Sequence, residues 1–271
     1  MQIPAEILNR KGARKPDEVP ADVLELLNGG LIETANLSEW LAIDQLELLK
    51  TTLQQLEQHD LFAVFEANVS ALKKQTATQV IKCIGQTLAT GDIKNAKVLV
   101  IGFAQHSSDT VRCWAASAIG HDPDSTISQQ LEAIRPFAAD PHFGVREIAW
   151  LAVRDSLIEN LEESIELLTP WAEDKDENIR RFASEATRPR GVWCPHIDAL
   201  KEKPELAYPI LAPLYADPSK YVRDSVGNWL NDASKTQPDW VVDVCDQWKS
   251  KSDAKETAYI IKKARRTIDK K

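Results

Sequence analysis

Glycine is scarce in this chain, with 10 residues among 271. Average usage is about 7%, and both sheet proteins and dinucleotide-binding folds use glycine freely in turns and phosphate-binding loops. The shortage therefore favours a helical protein. At 43% hydrophobic and 27% charged residues, the composition is that of a globular chain with one large or two small domains.

Motifs for metals, disulfides and nucleotides are missing from the sequence. The cysteines form no CxxC pair, and their number and separation argue against a zinc knuckle and a disulfide framework. We interpret them as reduced, mostly packed thiols: Cys83, Cys113, Cys194 and Cys245. The 5 histidines are scattered without an HExxH spacing. Neither GxxxxGK[ST] nor GxGxxG occurs. We therefore expect no metal and no nucleotide cofactor.

Long apolar runs and a basic excess are also lacking. No run approaches the roughly 18 residues of a membrane span, and the first residues do not resemble a secretory signal. We therefore expect a soluble, cytoplasmic protein with no membrane partner. The net charge of −8 argues against a protein that merely coats nucleic acid. However, residues 1–75 hold 12 acidic and 7 basic side chains, so most of the acidic excess lies at the front of the chain.

A repeated pattern organises the remaining chain. A short acidic or proline-containing turn is followed by a β-branched residue, an arginine and a helix rich in small residues, and the four arginines are Arg112, Arg146, Arg180 and Arg223. They are separated by 34, 34 and 43 residues. A second helical segment lies between successive copies, as in HEAT and armadillo repeats. The sequence thus predicts an all-α, HEAT-like (ARM-type) superhelical solenoid with a concave groove.

The pattern also predicts the organisation around the repeats. Residues 1–75 form an N-terminal helical cap, and residues 76–271 form the repeat region. The predicted helical segments outside the four repeat helices are Ala21–Leu27, Leu37–Leu49, Leu53–Phe65, Leu131–Ala138, Ile165–Ala172, Trp240–Lys249 and Thr257–Arg266. We interpret the four repeat arginines as structural groups that tie one repeat to the next turn.

Counting from each repeat arginine separates two faces of the helix that follows it. Positions +2, +3 and +6 are mostly apolar and predict a buried stripe. Positions +1, +5 and +8 predict the face that lines the groove, where side chains of neighbouring repeats would meet. They bring together Glu147, Arg181, Glu185 and Arg188, with the Asn231–Asp232 pair. The alternative is a solvated face with weak salt bridges.

The last gap is longer by nine residues, which fall near Thr187–Pro195. Pro189 should end the helix, and Gly191 would permit an unusual backbone. The insertion would then carry Arg188, Arg190 and Trp193 to the end of the groove, where they could contact a partner. Alternatively, Trp193 packs the loop into the core.

Three segments resemble one known family. They are VREIAWL at Val145–Leu151, RRFASEATRPRGVW at Arg180–Trp193 and YVRDSVGNWLNDASKTQP at Tyr221–Pro238. Together they are similar to the HEAT-like-repeat DNA alkylation repair glycosylases, specifically the AlkC branch of the AlkC/AlkD superfamily. The resemblance implies a monofunctional glycosylase that excises N3-methyladenine, and N3-methylcytosine as well, from duplex DNA. Because a capped solenoid of this size can stand alone, we expect a monomer. Its partner would be alkylated double-stranded DNA, and we expect it to associate with the bacterial nucleoid when bound.

The same resemblance implies the site residues. Glu185 is the main catalytic carboxylate, Glu147 and Asp232 are further acids, and Trp193 lies beside the cationic base. The residues that would hold phosphates are Arg181, Arg188, Arg190, Arg154 and Lys235. The rival interpretation from another class is a non-catalytic HEAT-repeat scaffold that binds DNA or protein through the same surface.

Overall fold

The computed structural model of the chain describes residues 3–91, 93–192 and 194–270. All regular elements in these ranges are helical. The α-helices are α1 Ala5–Leu8, α2 Ala21–Asn28, α3 Leu37–Ala42, α4 Gln45–Gln55, α5 Phe62–Ser70, α6 Ala77–Thr90, α7 Ala96–Ala104, α8 Asp109–Gly120, α9 Ile127–Ala138, α10 Phe143–Ala152, α11 Arg154–Glu159, α12 Leu161–Leu168, α13 Glu177–Ala186, α14 Asp198–Glu202, α15 Tyr208–Leu211, α16 Lys220–Ala233, α17 Pro238–Lys251 and α18 Lys255–Ala264. Short 3₁₀ turns are Pro16–Glu18, His59–Leu61, Thr169–Glu173, Pro204–Ala207 and Ala212–Leu214. None of these helices is long and apolar enough to cross a membrane.

The first compact unit takes in the described chain up to Ser125 together with Asp140–Ala152. Its central helix is α8, which packs against α6, α7 and α10. Small residues let the backbones approach closely, since a Cβ added at Gly120 would lie 2.4 Å from the carbonyl oxygen of Ala152. The indole of Trp114, fully buried in α8, meets the ring of Phe103 edge-on at 5.7 Å.

The second compact unit takes in Thr126–Ala139 and the described chain from Val153 onward. Helix α13 packs against α9 and α16, and α16 in turn packs against α17 and α18. Phe182 and Trp229 anchor this core from α13 and α16, and both are almost completely buried. The division into two units leaves the predicted cap boundary at residue 75 a prediction.

Two of the four repeat arginines, Arg112 and Arg180, have the structural role that the sequence predicts, and for Arg146 and Arg223 the tie to a following turn stays a prediction. Arg112 pairs with Asp140 and Arg180 pairs with Asp217, each through Nε and one terminal nitrogen at 2.7–3.1 Å. The remaining terminal nitrogen of each arginine donates to two carbonyl oxygens of its own turn. Each aspartate also accepts the backbone N–H two residues further on. The turn of one repeat is therefore tied to the arginine of the repeat before it.

The predicted buried stripe is confirmed at every position: Trp114, Ala115, Ala118, Ile148, Ala149, Ala152, Phe182, Ala183, Ala186, Ser225, Val226 and Trp229. The second prediction, that positions +1, +5 and +8 line the groove, is wrong for the first repeat helix. Cys113 and Ser117 are buried there, and Gly85 of α6 lies so close to Ser117 that an added Cβ would meet its hydroxyl at 2.3 Å. Because small residues occupy this face, a neighbouring helix covers it.

Two predicted N-terminal helices have other boundaries in the structure. Leu37–Leu49 is divided into α3 and α4, because the side chain of Asp44 accepts the N–H groups of Leu46 and Glu47 and so begins a new helix. Leu53–Phe65 is interrupted after α4, where Glu57 adopts the left-handed conformation at φ 57°. Apolar periodicity alone missed both breaks.

Candidate functional site

Helices α13 and α16 of the second unit lie side by side and bring two carboxylates together. Glu185 is in the last turn of α13 and Asp232 is in the last turn of α16. Arg188, two residues beyond the end of α13, joins them. Its Nη1 donates to Oε1 of Glu185 at 2.7 Å, while Nε and Nη2 donate to Oδ2 of Asp232 at 3.0 and 2.7 Å. One guanidinium thus bridges both predicted acids.

Glu185 is a buried carboxylate with several favourable partners. Only 5% of the residue is exposed. The hydroxyl of Ser225 donates to its Oε2 at 2.7 Å, and Nη2 of Arg181 lies 3.7 Å from the same oxygen. Burial alone would raise the pKa of Glu185, but the charges of Arg181 and Arg188 and the hydrogen bonds from Ser225 and Arg188 outweigh it and lower the pKa. Glu185 is therefore ionised at neutral pH.

Asp232 has a second cationic partner besides Arg188. Nζ of Lys235, one helical turn further on, donates to its Oδ1 at 2.9 Å. Asp232 is 3% exposed, whereas 41% of the Lys235 side chain is accessible. Nε of Arg190 donates to the backbone carbonyl of Asp232 at 3.3 Å. The C-terminal turn of α16 is thus covered by basic side chains, one of which is partly free to meet another ligand.

Arg181 is held by an aromatic ring on the neighbouring helix. Its guanidinium carbon lies 4.4 Å from the centre of the Tyr221 ring, at the start of α16, and only 8% of the residue is exposed. This stacking holds the planar guanidinium against α16 while its Nη2 lies near Glu185. The described side chains in ion-pair contact with the two acids are accordingly three cations, Arg181, Arg188 and Lys235.

Arg154 has a different position from the one expected for a DNA contact. It is fully buried at the start of α11. Its guanidinium donates to the carbonyl oxygens of Ala186, Arg188 and Pro195 at 2.7–3.1 Å. The predicted phosphate contact is therefore wrong for Arg154, because its donors face backbone oxygens and none of its surface is accessible. It is instead the clamp of the loop after α13.

That loop, residues 187–197, is the predicted insertion. Helix α13 ends at Ala186, before Pro189 as expected, and the N–H of Ile197 donates to the carbonyl of Pro189 at 3.0 Å. Gly191 is required for space and not for an unusual backbone, since a Cβ there would lie 2.0 Å from Sγ of Cys194. Trp193 lies outside the described residues, so its place beside a lesion stays a prediction.

Glu147 belongs to the first unit, on α10. Its Oε2 accepts the indole N–H of Trp150 at 2.9 Å, one turn along the same helix. The predicted neighbourhood of Glu147 with the acids of the second unit stays a prediction. Within the described residues, no group of three histidine, cysteine, aspartate or glutamate side chains could hold a metal ion.

Ser225 and Tyr221 were missed as site residues by sequence reasoning. A signal for Ser225 was present in the sequence. It takes position +2 of the buried stripe, where the other repeats have the apolar residues Trp114, Ile148 and Phe182. A polar residue at a buried position needs a partner, and that partner is Glu185. Tyr221 had no comparable signal, since its stacking depends on how α13 and α16 pack.

The comparison of solved structures indicates the fold. The alkylpurine DNA glycosylase AlkC of Pseudomonas fluorescens, solved bound to DNA with an abasic site analogue, superposes with a TM-score of 0.67 and 23% identity over 83% of this chain and 62% of that chain. AlkD2 of Streptococcus mutans superposes with a TM-score of 0.59 and 24% identity over 76% of this chain and 97% of its own. These likenesses confirm the predicted all-α, helical-repeat fold.

The sequence comparisons each match a part of the chain. The uncharacterized protein YhaZ of Bacillus subtilis strain 168 is 43% identical over 140 residues, which is 52% of this chain and 38% of that protein. The match thus covers less than two thirds of YhaZ. Residues 144–268 match the family described as DNA alkylation repair enzyme. This matching segment, which is less than half of the chain, holds Glu185, Arg188 and Asp232.

Proposed function

We propose that this protein is a DNA glycosylase that removes positively charged N3-alkylated bases, N3-methyladenine and also N3-methylcytosine, from duplex DNA. The observation that carries the proposal is the buried, ionised Glu185, held by arginines and next to Asp232 within the segment that matches the repair family. The glycosylase bound to DNA among the structural neighbours supports the same reaction class.

The chemistry needs little acid catalysis. An N3-alkylated base already carries a positive charge, so the glycosidic bond can break with its electron pair going to the base. The sugar left behind has oxocarbenium character, which a carboxylate in a weakly polar surrounding stabilises by Coulomb attraction. A water molecule then adds to C1′ and loses its proton to a carboxylate or to solvent. Glu185 would supply the negative charge, and Asp232 or Glu147 would orient the water.

The remaining residues would bind the flanking backbone. Arg181, Arg188, Arg190 and Lys235 would contact phosphates, of which Lys235 is the most accessible of the cations on the two acids. Trp193, assigned by resemblance, would place its indole against the cationic base. The protein would act as a monomer on chromosomal DNA in the cytoplasm.

The test is base release from methylated duplex DNA. Full-length protein is incubated with duplex DNA treated with dimethyl sulfate, and released bases are identified by mass. We expect N3-methyladenine from the wild type and a loss of roughly 10²-fold or more in Glu185→Gln. The matched control is Glu177→Gln, an exposed acid at the other end of the same helix.

Release at the spontaneous rate by wild-type protein would overturn the glycosylase proposal. Salt-sensitive DNA binding without release would then favour the non-catalytic scaffold. Equal loss in Glu185→Gln and Glu177→Gln would remove Glu185 from the reaction.

A further inference from the structure

The guanidinium of Arg188 has all of its described hydrogen bonds on the two acids that the proposed reaction needs. Nη1 binds Glu185, and Nε with Nη2 binds Asp232, at distances of 2.7–3.0 Å. Its backbone is fixed separately, because its N–H donates to the carbonyl of Glu185 and its own carbonyl accepts from Arg154. The side chain can therefore change partners without moving the loop.

At rest, Arg188 pairs with both carboxylates that a cationic base would need. A DNA phosphate that approaches the site also meets the partly accessible ammonium of Lys235. A DNA phosphate is an anion that a guanidinium binds with the same bidentate geometry as a carboxylate. Each phosphate that enters the site brings one negative charge, and it competes directly with Glu185 and Asp232 for Arg188.

Both acids keep a partner if Arg188 leaves. Glu185 retains the hydroxyl of Ser225 at 2.7 Å and the charge of Arg181, and Asp232 retains Lys235 at 2.9 Å. Removing a buried charge from its last partner would be costly. Here that cost is avoided, because each acid keeps another partner when Arg188 leaves.

We propose, on the basis of the proposed function, that Arg188 is a positioning residue that neutralises Glu185 and Asp232 at rest and releases them by transferring its guanidinium to a DNA phosphate. The carboxylates lose their shared cation, Arg188, only when the DNA backbone is bound. The site would then act on a lesion within DNA and not on a free alkylated nucleoside.

The experiment follows the side-chain carboxyl carbons of Glu185 and Asp232 by NMR in the full-length protein. Undamaged duplex DNA is added to wild type, Arg188→Gln and Arg190→Gln. Arg190 is the matched control, because it lies on the same loop and its Nε donates to the backbone carbonyl of Asp232. We expect both carboxyl resonances of DNA-bound wild type to move toward those of free Arg188→Gln, while free Arg190→Gln resembles free wild type.

Salt dependence gives a second measurement. The slope of log K against log salt should decrease by about 1 in Arg188→Gln, because one phosphate contact is lost. Unchanged carboxyl resonances in a DNA-bound wild type would overturn the exchange and leave the glycosylase proposal standing. Failure of duplex DNA to bind would overturn both. If Arg188→Gln does not fold, Arg188→Lys replaces it. The exchange would also be overturned if neither carboxyl resonance of free Arg188→Lys differed from that of free wild type.

Discussion

Arg180 and Arg181 are adjacent on α13, yet they belong to two different kinds of ion pair. Arg180 binds Asp217 through two nitrogens and two turn carbonyls through a third, so its guanidinium is fully matched. Arg181 shares Glu185 with Arg188 and stacks on the ring of Tyr221. The difference teaches that an arginine can hold a turn through backbone oxygens, whereas its neighbour on the same helix belongs to a cluster built around a buried carboxylate.

The largest expected effect is a difference in unfolding free energy between variants of these two arginines. Arg180→Met should lower the free energy of unfolding by about 3 kcal/mol or more, because Asp217 is 5% exposed and would lose its cation. Arg181→Met should cost about 1 kcal/mol, since Glu185 retains Arg188 and Ser225. Urea unfolding measures both. Base release should show the reverse order, and equal effects on both assays would break the comparison.

Arg154→Met tests the clamp of the loop. Three carbonyl oxygens would lose their donor, which we expect to cost about 2–3 kcal/mol. The N–H of Ile197 should then exchange faster with solvent, because its bond to Pro189 closes the same loop. Arg190→Met is the control on the loop itself. Unaltered exchange at Ile197 in Arg154→Met would show that the loop is held by other contacts.

Ser225→Ala should have a smaller effect of roughly 2 kcal/mol, because it removes one hydrogen bond to a charged, buried carboxylate. The control is Ser250→Ala on α17, whose exposed hydroxyl bonds only to a backbone oxygen of its own helix. Thermal unfolding of both variants measures the difference. A loss in Ser225→Ala no larger than in the control would mean that Glu185 does not depend on this donor.

The smallest effect concerns pH. The pKa of Glu185 is lower in the folded protein than its ordinary value of about 4.3. Its contribution to stability is therefore fully present above that value and is lost as the pH falls through the folded pKa. The difference in unfolding free energy between wild type and Glu185→Gln should be constant at neutral pH and shrink in acid. A difference that grows in acid would contradict the lowered pKa.

Much of the fold follows from local sequence patterns. The repeat arginines and the buried stripe were predictable because each depends on spacing within one helix and its own turn. The breaks at Asp44 and Glu57 were not, because a cap and a left-handed residue act against apolar periodicity that continues through them.

The site was predictable only in part. Glu185 and Asp232 came from family resemblance, and the structure brings them together through Arg188. Their burial, the stacking of Arg181 on Tyr221 and the clamp by Arg154 depend on contacts between segments far apart in sequence. Spacing along one helix carries no information about such contacts, which is why Arg154 was assigned to the wrong role.

The arginine–aspartate locks also bear on how such a chain can change length. Arg112 reaches Asp140 across 28 residues and Arg180 reaches Asp217 across 37, yet the two locks have the same hydrogen bonds. In both cases the arginine and the aspartate come from successive repeats, so the segment between them can differ in length while the pair is kept. A lineage could therefore lengthen the loop that carries Arg188 and Arg190, or an engineer could graft another loop there, without redesigning the joints between repeats.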